Sequence, residues 1–253
     1  MKVFERGEGE AETVIVGSVH GDEPAGKKAI EKVLNEGLKF EKPVKFIIAN
    51  EKALEENVRY LEADLNSSFP GNQDSDKYEE RLAAKIREEV RGKTVLDLHT
   101  TQSSREPFAT IKDTENETVE LLKDAGVEKG ICFPSDSGVL IEEASNGIIV
   151  ETGIQGTEKA EKDAYEVLKN FLASRKIIEG EYSRSEPELY RYIETVGGDW
   201  KFEAENFKEV EKGDVYASRD GEKLVAEENF YPALMSTDGY EGKLGYKTEK
   251  IES

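Results

Sequence analysis

His20 and His99 are the only histidines in the 253-residue chain, and each follows a short apolar run. The first run is Val14-Ile-Val16 with Val19, and the second is Thr94-Val-Leu-Asp-Leu98. Runs of this kind read as buried strands, so both imidazoles fall at strand ends, where open α/β sheets bind ligands. Glu23 stands three residues after His20, and Pro24 then opens a helical pattern, as proline does at a first helical position. Two imidazoles and a carboxylate are a donor set for a catalytic zinc, with one position left for water. His20, Glu23 and His99 are therefore the candidate ligands of one Zn2+ per chain, a set that would also accept cobalt or nickel.

A third apolar run, Gly147-Ile-Ile-Val150, ends in Glu151. Beside the open metal position this carboxylate is placed to act as general base toward a metal-activated water, returning the proton to the leaving amine. Arg59 can polarise the scissile carbonyl and hold the oxyanion, and Asn66 can fix a substrate carboxylate or amide. Taken singly, each of these residues reads as a packed or surface side chain. The joint pattern, at strand ends and in one long polar loop, is what points to a site.

The elements that position them follow from periodicity. Ala25 to Leu38 is an amphipathic helix and Pro43 to Ala49 the next strand, which together with the first run form a βαβ unit with parallel pairing. Residues 51–75 read as an irregular polar loop, of a length that is usually functional; its Phe69-Pro-Gly71 ending argues for order. Helices are expected at Lys77–Val90, Thr114–Ala125 and Lys159–Ala173, strands at Thr94–Leu98, near Phe108–Ile111 and at Gly147–Gly153, and a connection at Cys132–Gly138. From about Gly180 short alternating strands and Gly/Asp turns replace helix periodicity. The fold class is α/β: a mixed, largely parallel sheet flanked by helices, residues 1–180, with a small β-rich domain over 181–253.

With 35 basic and 55 acidic residues the net charge is −20 and the pI about 4.7. That balance argues against nucleic acid and anionic membranes as partners, and a salt-rich cytoplasm is one setting that would favour it. Cys132 stands alone, which excludes an internal disulfide and a cysteine zinc site. No signal core and no run of about 18 apolar residues is present. A soluble, cytoplasmic protein acting on a small molecule is expected.

In combination, His20-Gly-Asp-Glu23, Ala63-Asp-Leu-Asn66 with Phe69-Pro-Gly71, Asp97-Leu-His99 and Val150-Glu-Thr-Gly153 resemble the succinylglutamate desuccinylase/aspartoacylase family, of zinc carboxypeptidase-like fold. Tyr231-Pro-Ala-Leu-Met235 and Tyr240 to Tyr246 look like the end of that family's β domain. The resemblance implies His20, Glu23 and His99 as zinc ligands, Glu151 as the catalytic glutamate, Arg59 as the carbonyl-polarising arginine and Asn66 as a substrate-binding residue. It implies an amide-cleaving deacylase of small N-acylated amino acids or related metabolites, with an ester as a lesser possibility. One departure stands out: Ser67 occupies the position where the family commonly carries a carboxylate-clamping arginine. A serine cannot make that bidentate contact, so an N-acyl-aspartate or N-succinyl-glutamate substrate does not follow. No arginine lies between Ser137 and Val150, and Arg105 is either a substitute or a solvated surface residue.

The rival readings are a carboxypeptidase-like peptidase, which Ser67 also weakens, and a non-catalytic metal-binding protein of the same fold, which Glu151 argues against. Asp22 reads as a turn carboxylate at a helix N-terminus. Asp97, on the same strand face as His99, and Asp64 either orient a ligand or serve as buried structural acids. Cys132 reads as a small packed residue. Trp200 and Tyr240 are expected as core or interface aromatics, with Tyr240 also within possible reach of the substrate. Substrate identity and oligomeric state are not legible.

Overall fold

The computed structural model describes residues 1–134, 138–237, 239 and 242–252. Chain order is β1 (Lys2–Arg6), β2 (Thr13–Gly17), α1 (Ala25–Asn35), β3 (Val44–Ile48), α2 (Glu51–Glu56), α3 (Tyr78–Val90), β4 (Thr94–Thr101), β5 (Phe108–Ile111), α4 (Asn116–Ala125), β6 (Lys129–Cys132), β7 (Asn146–Ile154) and α5 (Glu158–Ser174). The β-rich remainder comprises β8 (Glu188–Gly197), β9 (Lys201–Phe202), β10 (Val215–Arg219), β11 (Glu222–Val225), β12 (Tyr231–Ala233) and β13 (Lys243–Lys250). Ten strands form one sheet in the order β1-β3-β2-β4-β7-β5-β6-β8-β13-β12, and β11-β10-β9 form a second, antiparallel one. The centre, β3-β2-β4-β7, is parallel throughout.

Both faces of the central strands are apolar, as parallel strands covered on two sides must be. On one face Ile15, Phe46, Leu96, Ile148 and Val150 pack with α1, α4 and α5. On the other, Val14, Val16, Ile47, Val95 and Ile149 pack with α3 and with Leu65 and Phe69 of the long loop. Side chains alternate along a strand, so Asp97 and His99 share the α3 face with Val95, and Glu151 shares it with Ile149. The chemistry-bearing residues of two neighbouring strands are thereby sent to one side of one sheet end.

The expected helices and central strands are present with small shifts at their ends. Helix α1 stops at Asn35 rather than Leu38, because Gly37 turns left-handed (φ 68°). Two corrections apply elsewhere. Residues 51–75 are not irregular throughout: Asn50 caps α2 through its side chain, accepting from Ala53 N–H, Asn57 closes it in a left-handed conformation (φ 52°), and Leu65–Ser67 form a 3₁₀ turn. Six residues are too few for periodicity to show. Cys132 does not begin a connection but ends β6, a four-residue strand whose amphipathic pattern is equally short. Strand β1 escaped the sequence pattern too, being a mostly exposed edge strand antiparallel to β3. Beyond residue 180, β8 continues the large sheet by pairing in parallel with β6, and β13 and β12 add to it antiparallel.

Helix α1 enters against the sheet at a close backbone approach. A Cβ on Gly26 would lie 2.9 Å from Gly17 Cα and from Leu98 O, so only glycine lets the first helical turn sit on β2 and β4. No helix among the described residues is long and apolar enough to cross a membrane. Replacing Gly26 by alanine forces that approach apart, and we expect a loss of about 1–3 kcal/mol of unfolding free energy, to be read from denaturant melts.

Candidate active site

The turn after β2 places His20 and Glu23 side by side. Gly21 donates its N–H to Arg59 O at 3.0 Å, and a Cβ there would meet the Ala53 backbone at 2.2 Å, so the turn lies directly on α2. Glu23 is buried: Ser18 Oγ donates to its carbonyl, and Thr100 N–H donates to its Oε2 at 2.8 Å. His99 sits at the end of β4, facing Glu151 of β7 in register. Helix, turn and two strands therefore converge on one point.

At that point the three sequence-predicted metal ligands meet. His20 Nδ1 faces Glu23 Oε1 at 2.8 Å and His99 Nδ1 faces Glu23 Oε2 at 3.4 Å, and one donor atom from each residue lies within 4.8 Å of the other two. The imidazole rings stand edge to face with centroids 5.0 Å apart. Each outer nitrogen is backed by a carboxylate: His20 Nε2 by Asp64 Oδ1 at 3.2 Å and His99 Nε2 by Asp97 Oδ2 at 3.0 Å. A carboxylate behind each imidazole fixes its ring and tautomer so that the inner nitrogen is free to ligate, the usual arrangement behind metal-bound histidines. The cluster's acids are Glu23, Asp64, Asp97 and Glu151, against the single guanidinium of Arg59. The donor types, their convergence and this surplus of negative charge fit a divalent cation of the zinc class.

Burial and neighbouring charge set the protonation of these groups in opposite directions. Burial pulls the His99 imidazole down, but the Asp97 carboxylate and then Glu23 outweigh it and raise the pKa well above the usual value. His20 is raised in the same way, by Glu23 and Asp64 against burial. Burial pushes the Glu23 carboxyl up, yet the charge and hydrogen bonds of His20 and His99 hold it well below the carboxylate range. Asp64 also resists burial and falls to about 2, chiefly through its hydrogen bond with His20. Glu151 goes the other way. Burial and the nearby Glu23 charge raise it to about 8, and its Oε2 is sealed from solvent with no hydrogen-bond partner.

Asp64 is a hub. Its Oδ1 faces His20 Nε2 and also accepts the Asn66 N–H at 2.9 Å, while Oδ2 accepts Arg59 Nε at 3.2 Å. Arg59 also donates from a terminal nitrogen to Glu23 Oε1 at 3.4 Å, so its guanidinium lies over the cluster. Asn66 lines a cavity of about 330 Å³ together with Glu151, and its buried Oδ1 has no partner. Asp97 and Asp64 thus face the outer nitrogens of the two histidines. Asp22 accepts from Gln155 through its backbone carbonyl. Arg105 is exposed, and its surface recess is shared with Ile154, Thr157 and Lys159, apart from the cavity at Glu151. Tyr240 lies outside the described residues. Trp200 packs in the carboxyl-terminal β cluster under Arg219, 4.3 Å from the ring centroid.

The profile of the succinylglutamate desuccinylase/aspartoacylase catalytic domain matches residues 10–173, well over half of the chain. The chain belongs to this family. The family's members are amide-bond deacylases. Solved structures similar to the chain include succinylglutamate desuccinylase from Vibrio parahaemolyticus (19% identity, 99% of this chain and 86% of that chain covered, TM-score 0.73). The product-bound ectoine utilization protein from Ruegeria pomeroyi matches at 18% identity over 99% of this chain and 88% of that one, TM-score 0.78. Murine aminoacylase 3 matches at 18% identity over 96% and 97%, TM-score 0.77. At such identities the structures share the fold. No curated protein matches the chain.

Within this desuccinylase/aspartoacylase fold one important residue escaped the sequence reading. Glu79, fully buried in the first turn of α3, accepts the N–H groups of Leu61, Glu62 and Ala63 and the Asn50 side-chain amide. It ties down the segment between Arg59 and Asp64. In the sequence it is one of two adjacent acids on an amphipathic helix, with nothing to separate it from the half-buried Glu80 beside it. Lys112 is a second residue that no local pattern marks. It shares a strand face with Phe108 and Thr110, but only the pairing of β5 with β7 puts that face beside Glu151.

Two outcomes follow. Glu79→Ala strands three backbone donors and an amide, and should cost about 2–4 kcal/mol of stability, measured by denaturant unfolding; Glu79→Gln should cost less. In metal-free protein Glu151, with its pKa raised to about 8, keeps its proton where the unfolded chain has lost it. Its contribution is therefore present below about pH 4.5 and lost as pH rises toward 8. His20 and His99, also raised, act in the same sense above their unfolded value. Scanning calorimetry after chelation should show the melting temperature falling from pH 5.5 to 8.5, and falling less in Glu151→Gln.

Proposed function

We propose that the protein is a zinc-dependent deacylase that hydrolyses the amide bond of a small N-acylated amino acid or related metabolite. The observation that carries this reading is the convergence of His20 Nδ1, His99 Nδ1 and the Glu23 carboxylate, with the unpartnered Glu151 carboxyl one strand away in register. His20, Glu23 and His99 would hold the zinc, which when bound supplies Lewis acidity to the scissile carbonyl and to the attacking water.

The rest is work for the protein's own side chains. Glu151 takes one proton from the water as its oxygen bonds to the carbonyl carbon. The same carboxyl then gives that proton to the amide nitrogen as the carbon–nitrogen bond breaks, leaving a carboxylic acid and an amine. An acid whose burial raises its pKa to about 8 is a competent proton carrier near neutrality, and an adjacent cation would draw it downward into the base range. Arg59, held over the cluster by Asp64 and Glu23, presents its guanidinium where the carbonyl oxygen gains charge. Asn66, its Oδ1 unpartnered at the cavity wall, orients the substrate. Asp64 and Asp97 keep both imidazoles turned inward.

The reading is tested by metal analysis and turnover together. Purified protein should carry about one zinc per chain, which His99→Ala should lose. Glu151→Gln should retain the metal but lower kcat on an N-acyl amino acid by about 10²–10⁴-fold. Full activity in Glu151→Gln, or unchanged zinc in His99→Ala, would sink the proposal.

A further inference from the structure

The cavity that opens beside Glu151 and Asn66 has a composition of its own. It runs down the sheet face along β5 and β7: Phe108 pairs with Glu151 and Thr110 with Ile149, so Lys112 lies four residues from the Glu151 level, about 13 Å at strand rise. Ile141 and Ile149, which pack in one apolar cluster, supply an aliphatic wall, whereas Leu234 packs with Phe133 and Tyr246. The facing wall is aromatic. Phe133 meets Tyr246 with ring centroids 4.9 Å apart and Tyr192 at 5.7 Å, and Tyr192 meets Tyr246 at 5.7 Å. Three rings in mutual contact form a preformed apolar surface.

The charges that line the same cavity do not suit an anion. Among its described lining residues Lys112 is the one cation, and its ammonium already lies 3.3 and 3.5 Å from the carbonyls of Ser145 and Ala144. Glu142, which also lines the cavity and accepts the Gly138 N–H, is a further carboxylate and not a cation. Ser67 stands where a guanidinium could have clamped one, and Arg105 is on another surface. A carboxylate taken into an apolar cleft without a paired cation is strongly disfavoured, whereas each methylene buried there is worth about fourfold in affinity.

We propose that the group selected by this cavity is apolar, a hydrocarbon or aromatic side chain or acyl chain lying between the Ile141–Ile149 wall and the Phe133–Tyr192–Tyr246 rings, and not a dicarboxylate. This rests on the deacylase reading above. It names the substrate class: a neutral-side-chain N-acyl amino acid or a longer-chain N-acyl compound, whose apolar part fills the space beside Glu151.

Two homologous series separate the possible sources of the apolar group. One lengthens the amino-acid side chain, from N-acetyl-alanine to N-acetyl-norleucine; the other lengthens the acyl chain, from N-acetyl-alanine to N-hexanoyl-alanine. N-acetyl-aspartate and N-succinyl-glutamate serve as acidic comparators. With zinc-loaded wild-type protein, kcat/KM should rise about two- to fourfold per methylene in one series. The acidic compounds should fall at least about tenfold below its longest member. A flat or falling response in both series, or faster turnover of an acidic compound, overturns the proposal. Binding is read separately by calorimetry on Glu151→Gln with N-acetyl-norleucine, N-hexanoyl-alanine and N-acetyl-aspartate. An apolar probe should bind best and lose about threefold or more in affinity when Tyr192→Ala is added, the doubly substituted protein still unfolding in one cooperative transition. If no amide is hydrolysed but an apolar probe binds in this way, the deacylase reading fails and the cavity assignment stands. If neither apolar probe binds, or the aspartate binds best, the cavity assignment fails whatever the turnover.

Discussion

The structure depends on a constraint of electrostatics: Glu23 is a buried carboxylate held between two imidazoles. Removing such a charge from water costs several kcal/mol, and here the compensation is spread over four elements. The β2–α1 turn supplies His20 and Glu23, and β4 supplies His99 and the Thr100 N–H. The long loop supplies Arg59 and Asp64, and β7 closes the group with Glu151. None of these elements satisfies the cluster alone, so the site and the sheet centre form together. The acids outnumber the fixed cations, and in the metal-free protein protons on the imidazoles make up part of the difference, which is why both histidines titrate high.

A second buried acid does for the loop what Glu23 does for the strand ends. Glu79 gathers three consecutive backbone donors and the Asn50 amide, leaving the chain from Arg59 to Asp64 little freedom. Asp64 then transmits that order to His20, Arg59 and Asn66 at once. Rigidity of this kind matters for a hydrolase, because charge stabilisation works only when the donors are in place before the charge develops. The same loop packs Leu65 and Phe69 into the α3-side core, so the arrangement of the polar groups is anchored by apolar burial.

The buried cluster and the cavity meet at Glu151. The cluster sits at the carboxyl ends of the central parallel strands, whereas the cavity leans over β5 and β6 onto β8, which is parallel to β6, and β13, which is antiparallel to β8. Aromatics from β8 and β13 face the aliphatic side of the α/β part. Among the described residues, Lys112 and Glu142 are the charged ones that line the cavity away from Glu151.

The local chemistry was legible in the sequence because it is written in short-range terms. Apolar runs ending in His20, His99 and Glu151 name both the strands and what they carry, and the spacing of His20 and Glu23 across a turn needs no distant partner. Helices α1, α3 and α5 follow from a period that eleven or more residues display clearly. Elements of four to six residues, α2 and β6, fall below what periodicity can resolve. Strand alternation already puts Asp97 on the His99 face, but no local pattern shows that Glu79 faces inward more than Glu80, or that Asp64 stands behind His20. The position of Lys112 in the cavity that Glu151 also lines depends on β5 pairing antiparallel to β7, and Arg105, equally plausible by sequence distance, ends on another face. Residue types and their order set the reaction class. That Asp64 reaches His20, and what shape and charge the cavity offers a substrate, were decided by loop packing and strand pairing, because those contacts join residues tens of positions apart.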